Sequence, residues 1–413
     1  MPKSFRILFI LLALFTVIAC GSAPSTAQPT GQTQPDSSTL SAPTQPESDA
    51  SPTQPAAEPS GLKVAFNLNG NIWFWSETTP ARQLTTGGKA GPLKLSDDGK
   101  VIAYARDQGL WAINSDGTNA RELVADISAF TGHPYLAQFD FQPGAHTVYF
   151  SSRESVQVSV GGDLHRVDAD SPIPQTLLQQ GGYFTFSPDG RLLALADVSR
   201  INVLRIDSPA LISALDFQKV DTHSDWSFYP QVVWLDNSTG LYTVIPGNGG
   251  QKSRFLYIAA DGSFTAQLAE FAPADIRVSR PLIAPNGSGV AYITSTEDSF
   301  DIHVIDASTA DAIIASYPTS PQFGLWTWSP DSVRFTYWTE APSRLLIAGR
   351  SNPPVPLADP IAPYTLTWVD ANRFLYFANG ELRLGQAGAQ VLAVITGGYA
   401  EGEQNAVYVD FAP

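Results

Sequence analysis

The sequence predicts an all-β fold, an eight-bladed β-propeller of four-stranded antiparallel blades. Three observations lead there. A turn mark recurs eight times, its neighbouring copies lie 40 to 49 residues apart, and the last copy falls on the final residues, where it supplies a strand that the first blade lacks. A period of that length is the signature of propeller blades.

The marks are Leu95-Ser96-Asp97-Asp98-Gly99, Phe141-Gln142-Pro143-Gly144, Phe186-Ser187-Pro188-Asp189-Gly190, Trp234-Leu235-Asp236-Asn237, Ile283-Ala284-Pro285-Asn286-Gly287, Trp328-Ser329-Pro330-Asp331, Trp368-Val369-Asp370 and Phe411-Ala412-Pro413. Pro presets a negative φ, Asp or Asn caps the turn, and Gly accepts a positive φ. A nearly continuous apolar run follows most marks, as at Val101 to Tyr104, Leu192 to Leu195 and Val290 to Ile293. Such runs suit strands buried on both faces between stacked blades. A second hairpin completes each period, best seen in Leu110 to Val124, with comparable pairs beginning at Leu164, Asn202, Phe255, Asp301, Arg344 and Glu381.

Lys63 to Phe66 reads as a second strand and Asn71 to Trp75 as a third, with no first strand before them. Ala406 to Phe411 has first-strand character and then the chain stops. The C-terminal strand is therefore expected to pair with the N-terminal blade and close the ring, removing two open edges that invite aggregation. An open sandwich or two smaller propellers would fit a broken period, and the period is unbroken.

Residues 1–19 read as a lipoprotein signal peptide: Lys3 and Arg6 precede an apolar stretch, Ile7 to Ala19, too short for a comfortable membrane span. Val17-Ile18-Ala19-Cys20 matches the lipobox of bacterial lipoproteins, which implies lipidation of Cys20, the single cysteine. Residues 20–60 read as the lipidated cysteine and a disordered tether, since 21–60 hold no Lys, Arg or aromatic residue and repeat Thr-Gln-Pro at 33, 44 and 53. Residues 61–413 form the propeller. Export, with the propeller outside the cytoplasm and anchored to a membrane by lipid, is the expected localisation.

The whole chain carries 24 basic and 39 acidic residues, a formal charge of −15. Without Lys3 and Arg6 the balance is 22 − 39, and without the four acids of the tether the propeller stands at 22 − 35, or −13. That sign argues against nucleic acid as a partner and against electrostatic adhesion to anionic lipid.

At Phe184 to Arg191, Trp326 to Asp331 and Leu110 to Gly117 the sequence resembles the repeats of TolB-like (WD40-like) propellers. The resemblance implies the fold and a non-catalytic exported scaffold. TolB itself is similar to a six-bladed propeller behind a small α/β domain, so its particular partners do not carry over to an eight-bladed chain without that domain.

No Gly-x-Ser-x-Gly elbow, phosphate-binding loop, His-Glu-x-x-His pair or Cys-x-x-Cys site occurs in the sequence. Neither a cofactor nor a metal site is expected. His146 belongs to the turn side, His165 and His303 to third strands, and His133 and His223 to inter-blade loops. Asp97-Asp98 sits in a repeat turn on the wrong face for acid and base chemistry, and Asp116-Gly117-Thr118-Asn119 lacks the alternating ligands of a calcium loop.

The ligand-bearing face of a propeller is expected to hold the inter-blade loops and those joining second to third strands. Tyr135, Arg153, His223, Trp226, Tyr229, Arg254 and Tyr399 are the candidate ligand residues on it, with Arg106, Glu297, Phe323 and Tyr364 beside them. Asp221 to Pro230 places three aromatics in a loop that should face water. This loop reads either as a binding hot spot or as a plug folded over the blade edge, with Phe228 and Tyr229 opening the next strand. The long loops Ser151 to Asp163 and Ile245 to Arg254 are functional or tolerated insertions.

The functional expectation is a binding scaffold for an envelope protein or extracellular polymer. The alternatives are a propeller hydrolase or lyase acting on extracellular carbohydrate, and a structural surface lipoprotein without a specific ligand.

Overall fold

The computed structural model describes residues 61–413 apart from 156–161, 180, 209, 307, 309, 319–322, 341–342, 358–365, 389 and 400–407. Cys20 and the tether, Tyr364, and the start of the expected closing strand at Ala406 lie outside the described residues. The described chain forms eight four-stranded antiparallel sheets, the blades of one propeller.

Seven blades use four consecutive strands each. Blade one takes Lys63–Leu68, Asn71–Ser76 and Thr79–Gln83 from the N-terminal end and Val409–Ala412 as its innermost strand. The pairing runs Lys63 opposite Ala412, Val64 opposite Phe411, Ala65 opposite Asp410 and Phe66 opposite Val409. Val64, Ala65 and Phe66 are completely buried behind it. Two further links lock the same seam: Arg373 donates to Glu77 at 2.7 Å, and the Tyr399 hydroxyl donates to the Asn67 carbonyl at 2.8 Å.

The turn mark works through its serine and its acid. Ser96, Ser187 and Ser329 are buried at the foot of an inner strand, where each hydroxyl donates to the aspartate two residues on. The same oxygens accept from the second strand, from Val101 N–H at 3.0 Å, Leu192 N–H at 2.9 Å and Arg334 N–H at 3.0 Å. Gly99 and Gly190, both at φ 67°, let the chain reverse. Neighbouring turns also bond one another: Asp97 accepts from Gly144 N–H at 2.9 Å, and Ser332 Oγ accepts from Asn286 N–H at 3.0 Å.

Inner-strand tryptophans stitch the other side of the seams. Trp234 donates to the Thr185 carbonyl at 3.1 Å, Trp328 to Leu282 at 3.0 Å and Trp326 to Leu366 at 2.7 Å, each time into the adjacent blade. A buried indole favours such a partner, which Trp234 and Trp328 find at their marks, whereas the Trp368 indole N–H is buried without one.

The described residues hold one short helix, Ile127–Thr131, in the connection from blade two to blade three. Asp126 caps it by accepting from Ala129 N–H, and Gly132 ends it at φ 78°. No helix among the described residues is long and apolar enough to cross a membrane.

Three inner strands meet at a small ionic cluster. Lys94 of blade two donates to Asp140 of blade three at 3.1 Å, while Asp410 of the closing strand accepts from Leu95 N–H at 2.8 Å. Burial acts to lower the Lys94 amine, but the charges of Asp140 and Asp410 outweigh it and hold the group above its ordinary range. Burial pushes the Asp410 carboxyl up to about 6, with Asp140 adding to the shift and Lys94 opposing it.

Deleting residues 408–413 strips the inner strand from blade one and uncovers Val64, Ala65 and Phe66. The urea midpoint is expected to fall by the equivalent of at least about 3 kcal/mol, from loss of apolar burial alone. An unchanged midpoint would contradict closure through this strand. The second expectation concerns pH. Between an unfolded value near 4 and a folded value of about 6, the native protein keeps a proton on Asp410 that the unfolded chain has lost, so this group's contribution to stability falls as pH rises through that window. Asp410→Asn removes the effect. Its stability relative to wild type should improve by about 2 to 3 kcal/mol between pH 4 and pH 7, measured as urea midpoints.

Candidate ligand-binding mouth

In every blade the inner strand runs from the face of the inter-blade connections down to the turn marks. Residues that begin inner strands, or end second strands, therefore share the upper rim. Tyr135 opens the inner strand of blade three, Tyr135–Phe141, and Arg153 ends the second, Thr147–Arg153; the two are opposite one another in the register. Tyr135 is 43% exposed.

Arg153 points toward blade four. Alternation along its strand puts Val148 and Phe150 in the core shared with blade two, and Tyr149 in the core shared with Phe184 and Phe186 of blade four. Ser151 and Arg153 share the Tyr149 side. The Ser151 hydroxyl and the Arg153 Nε are both buried without a hydrogen-bond partner. Orphaned buried donors of this kind are costly unless water or a ligand completes them.

The rim continues through Tyr183, which opens the inner strand of blade four, Tyr183–Phe186. Burial raises its hydroxyl pKa, while the charges of Arg280 and Arg153 pull it back. Tyr183 meets the Tyr229 ring edge to face, with centroids 5.2 Å apart. Burial also raises Tyr229, and Asp197 adds to that shift. Arg280, just before the inner strand of blade six, donates to the Tyr229 carbonyl at 3.4 Å and stands 5.9 Å from the centre of the Phe228 ring. Burial lowers its pKa, with Tyr183 and Tyr229 opposing. Among the described residues neither Arg153 nor Arg280 has a carboxylate within ion-pair distance.

Tight backbone packing frames this corner. The Gly181 N–H donates to the Gly162 carbonyl at 2.9 Å, and a side chain at Gly162 would overlap the Ser152 carbonyl. Gly182, at φ 144°, leaves no room either, since a Cβ there would lie 2.7 Å from the Ala196 carbonyl oxygen.

The aromatic loop after blade four folds back on the protein. Thr222 Oγ donates to the Trp226 carbonyl at 2.7 Å, and Asn248 ties the loop to that of blade five by accepting from Asp221 N–H at 2.8 Å. Trp226 is half-buried against Val220, Phe228, Ile245 and Leu256. Phe228 and Tyr229 are buried. His223 is exposed and pairs with Asp221 at 3.2 Å. The expectation of three water-facing aromatics is therefore corrected, because the short loop caps the blade with its apolar side chains.

Tyr399 is likewise buried, with its ring edge-on to Phe377 at 4.8 Å and its hydroxyl on Asn67, so it joins blades eight and one. Arg254 lies at the start of the third strand of blade five, exposed and opposite Ile245 and Glu270, and no contact ties it to the Tyr183–Tyr229 corner among the described residues. Arg106 lies 5.2 Å over the Trp111 ring, and Phe323 is buried beside Phe300 and Tyr317. The structure thus gathers Arg153 and Tyr229 of the sequence candidates, sets Tyr135 beside them, and adds Tyr183, Arg280 and Ser151. A shared position was the signal for two of these: Tyr135, Tyr183 and Arg280 all stand at the entry to an inner strand.

His165 is fully buried between Phe130 and Phe150, with Nδ1 on Thr176 Oγ at 3.1 Å. Burial holds its pKa below the ordinary histidine range. Among the described residues no three His, Cys, Asp or Glu side chains gather as a metal site would require.

No known protein-family profile matches the sequence. The chain is similar in fold to a crystal structure of a eukaryotic initiation factor, with 13% identity and a TM-score of 0.51 over 81% of this chain and 84% of that one. It is also similar to oligogalacturonate lyase in complex with manganese, at 13% identity and a TM-score of 0.47 over 68% of this chain and 82% of that one. TolB from Acinetobacter baumannii is similar at 12% identity and a TM-score of 0.35, over 63% and 64% of the two chains. Likeness at such identities is one of fold alone.

Arginines that join neighbouring blades differ in how well they are bonded, and Arg280 makes a single long bond of 3.4 Å to the Tyr229 carbonyl. Arg334 donates to the Ala371 carbonyl and to Asn372 Oδ1 of the next blade. Arg334→Met should cost about 1 to 3 kcal/mol, and Arg280→Met less than about 0.5 kcal/mol or nothing. Chemical denaturation of the two variants checks the contrast, which an equal loss would refute.

Proposed function

We propose that this protein is an exported lipoprotein whose eight-bladed propeller acts as a non-catalytic binding platform for an envelope protein, engaged through the rim of blades three to six. The observation that carries the reading is the pair Arg153 and Arg280 on the loop-bearing face, Arg153 opposite exposed Tyr135, with no carboxylate among the described residues within ion-pair distance of either. Aromatic residues and arginines at the edge of a desolvated pocket are the composition of interface hot spots. Attachment rests on the lipobox at Val17 to Cys20 and on a tether too poor in apolar residues to fold. Forty such residues reach roughly 35 Å as a flexible coil.

Two experiments test the proposal. Cys20→Ser should abolish incorporation of labelled fatty acid and move the protein out of the membrane fraction; unchanged labelling would refute the anchor. Crosslinked co-purification from native membranes should yield a protein that the wild type enriches and a Tyr135→Ala, Arg153→Gln variant of equal stability does not. Recovery of a polysaccharide in place of a protein would replace the partner class. Turnover of such a polymer by the purified protein, lost in that variant, would overturn the non-catalytic reading.

A further inference from the structure

The rim corner has a chemical preference that can be derived from its charges. Arg280 reaches it from blade six and donates to the Tyr229 carbonyl at 3.4 Å, the Tyr229 ring packs on Tyr183 of blade four, and Arg153 ends a blade-three strand on the side that faces blade four. The Ser151 hydroxyl and Arg153 Nε are donors closed off from solvent with nothing to donate to. The corner therefore offers several N–H and O–H donors and an excess of positive charge in a half-buried setting. A guanidinium presents its donors as a planar fork that matches a carboxylate.

The surroundings narrow the ligand further. The propeller as a whole stands at −13, from 22 basic and 35 acidic residues, so a long polyanion is repelled before it arrives. Asp197 is close enough to Tyr229 to raise its pKa, and it guards one side of the corner against a second negative group. Exposed Tyr135 offers an aromatic surface to whatever carries the anion.

We infer that the corner between blades three, four and six is a receptor for a single carboxylate of a polypeptide partner, an acidic side chain or a C-terminus, clamped by Arg153 and Arg280 with Ser151 and Tyr183 as supporting donors. This rests on the binding-platform reading and names the group that reading requires on the partner.

Arginine-specific modification by phenylglyoxal, read residue by residue by mass spectrometry on the full-length protein in detergent, tests the inference without the partner. N-acetylglycine, a monocarboxylate, should slow modification of Arg153 and Arg280 at concentrations about tenfold lower than its neutral amide N-acetylglycinamide, the ratio expected for a charge-assisted bidentate pair. Exposed Arg254 serves as the internal control and should react at one rate throughout. Equal protection by acid and amide, or none, overturns the inference, and so does inorganic phosphate protecting better than N-acetylglycine. Arg280→Lys keeps the charge and loses the fork, and should lose the selectivity for acid over amide while its melting temperature stays near that of wild type. If the co-purified protein still binds Arg280→Gln and Arg153→Gln fully, the carboxylate clamp fails while the platform stands; if no partner appears but protection by N-acetylglycine is selective, the clamp stands and the platform reading fails.

Discussion

The ladder between Lys63–Leu68 and Val409–Ala412 is the contact on which the whole molecule depends. Each of the other blades is a local unit of consecutive strands, held by hairpins that form over short stretches of chain. Blade one alone joins residues more than three hundred positions apart. Until it forms, both ends of the ring expose strand edges and the apolar faces of blades one and eight. Its loop-closure entropy is offset by burial of Val64, Phe66, Leu375 and Phe377 in one core. A single acid, Asp410, ties the same strand to Leu95 of blade two, so three blades share the consequences of its protonation.

Much of this was legible in the sequence because propeller blades are short-range objects. Ser187-Pro188-Asp189-Gly190 announces its turn through interactions that span five residues, and Val101 to Tyr104 announces its burial by lacking alternation. The missing strand before Lys63 and the surplus one near Phe411 could be counted. The helix Ile127–Thr131 escaped because five residues carry no periodicity, although Asp126 and Gly132 mark both of its ends. The closing strand, Val409–Ala412, owes its place to pairing with Lys63 to Phe66 and not to local preference.

The rim was harder to read, since it is made by the ring and by no single segment. Arg153, Tyr183 and Arg280 come from three blades and share one corner only once those blades stack, so linear spacing could not join them. Loop position alone did not separate exposed from buried at Tyr229 and Tyr399. An inter-blade loop is exposed only if it stands clear of the blades, and here Phe228, Tyr229 and Tyr399 turn inward to close gaps that widening blades leave at the rim. Arg153 was found because charge at the end of a buried strand is informative by itself.

Lys63 pairs with the last residues of the inner strand and donates to the Asp98 carbonyl, which puts the start of blade one at the turn face. The described chain thus enters the disc at its underside, while the arginine corner lies at the opposite pole. For the lipoprotein proposed above, this gives the molecule a polarity. The leash pulls on one face and the other looks away from the bilayer, so a partner can be met at arm's length without the disc having to turn over.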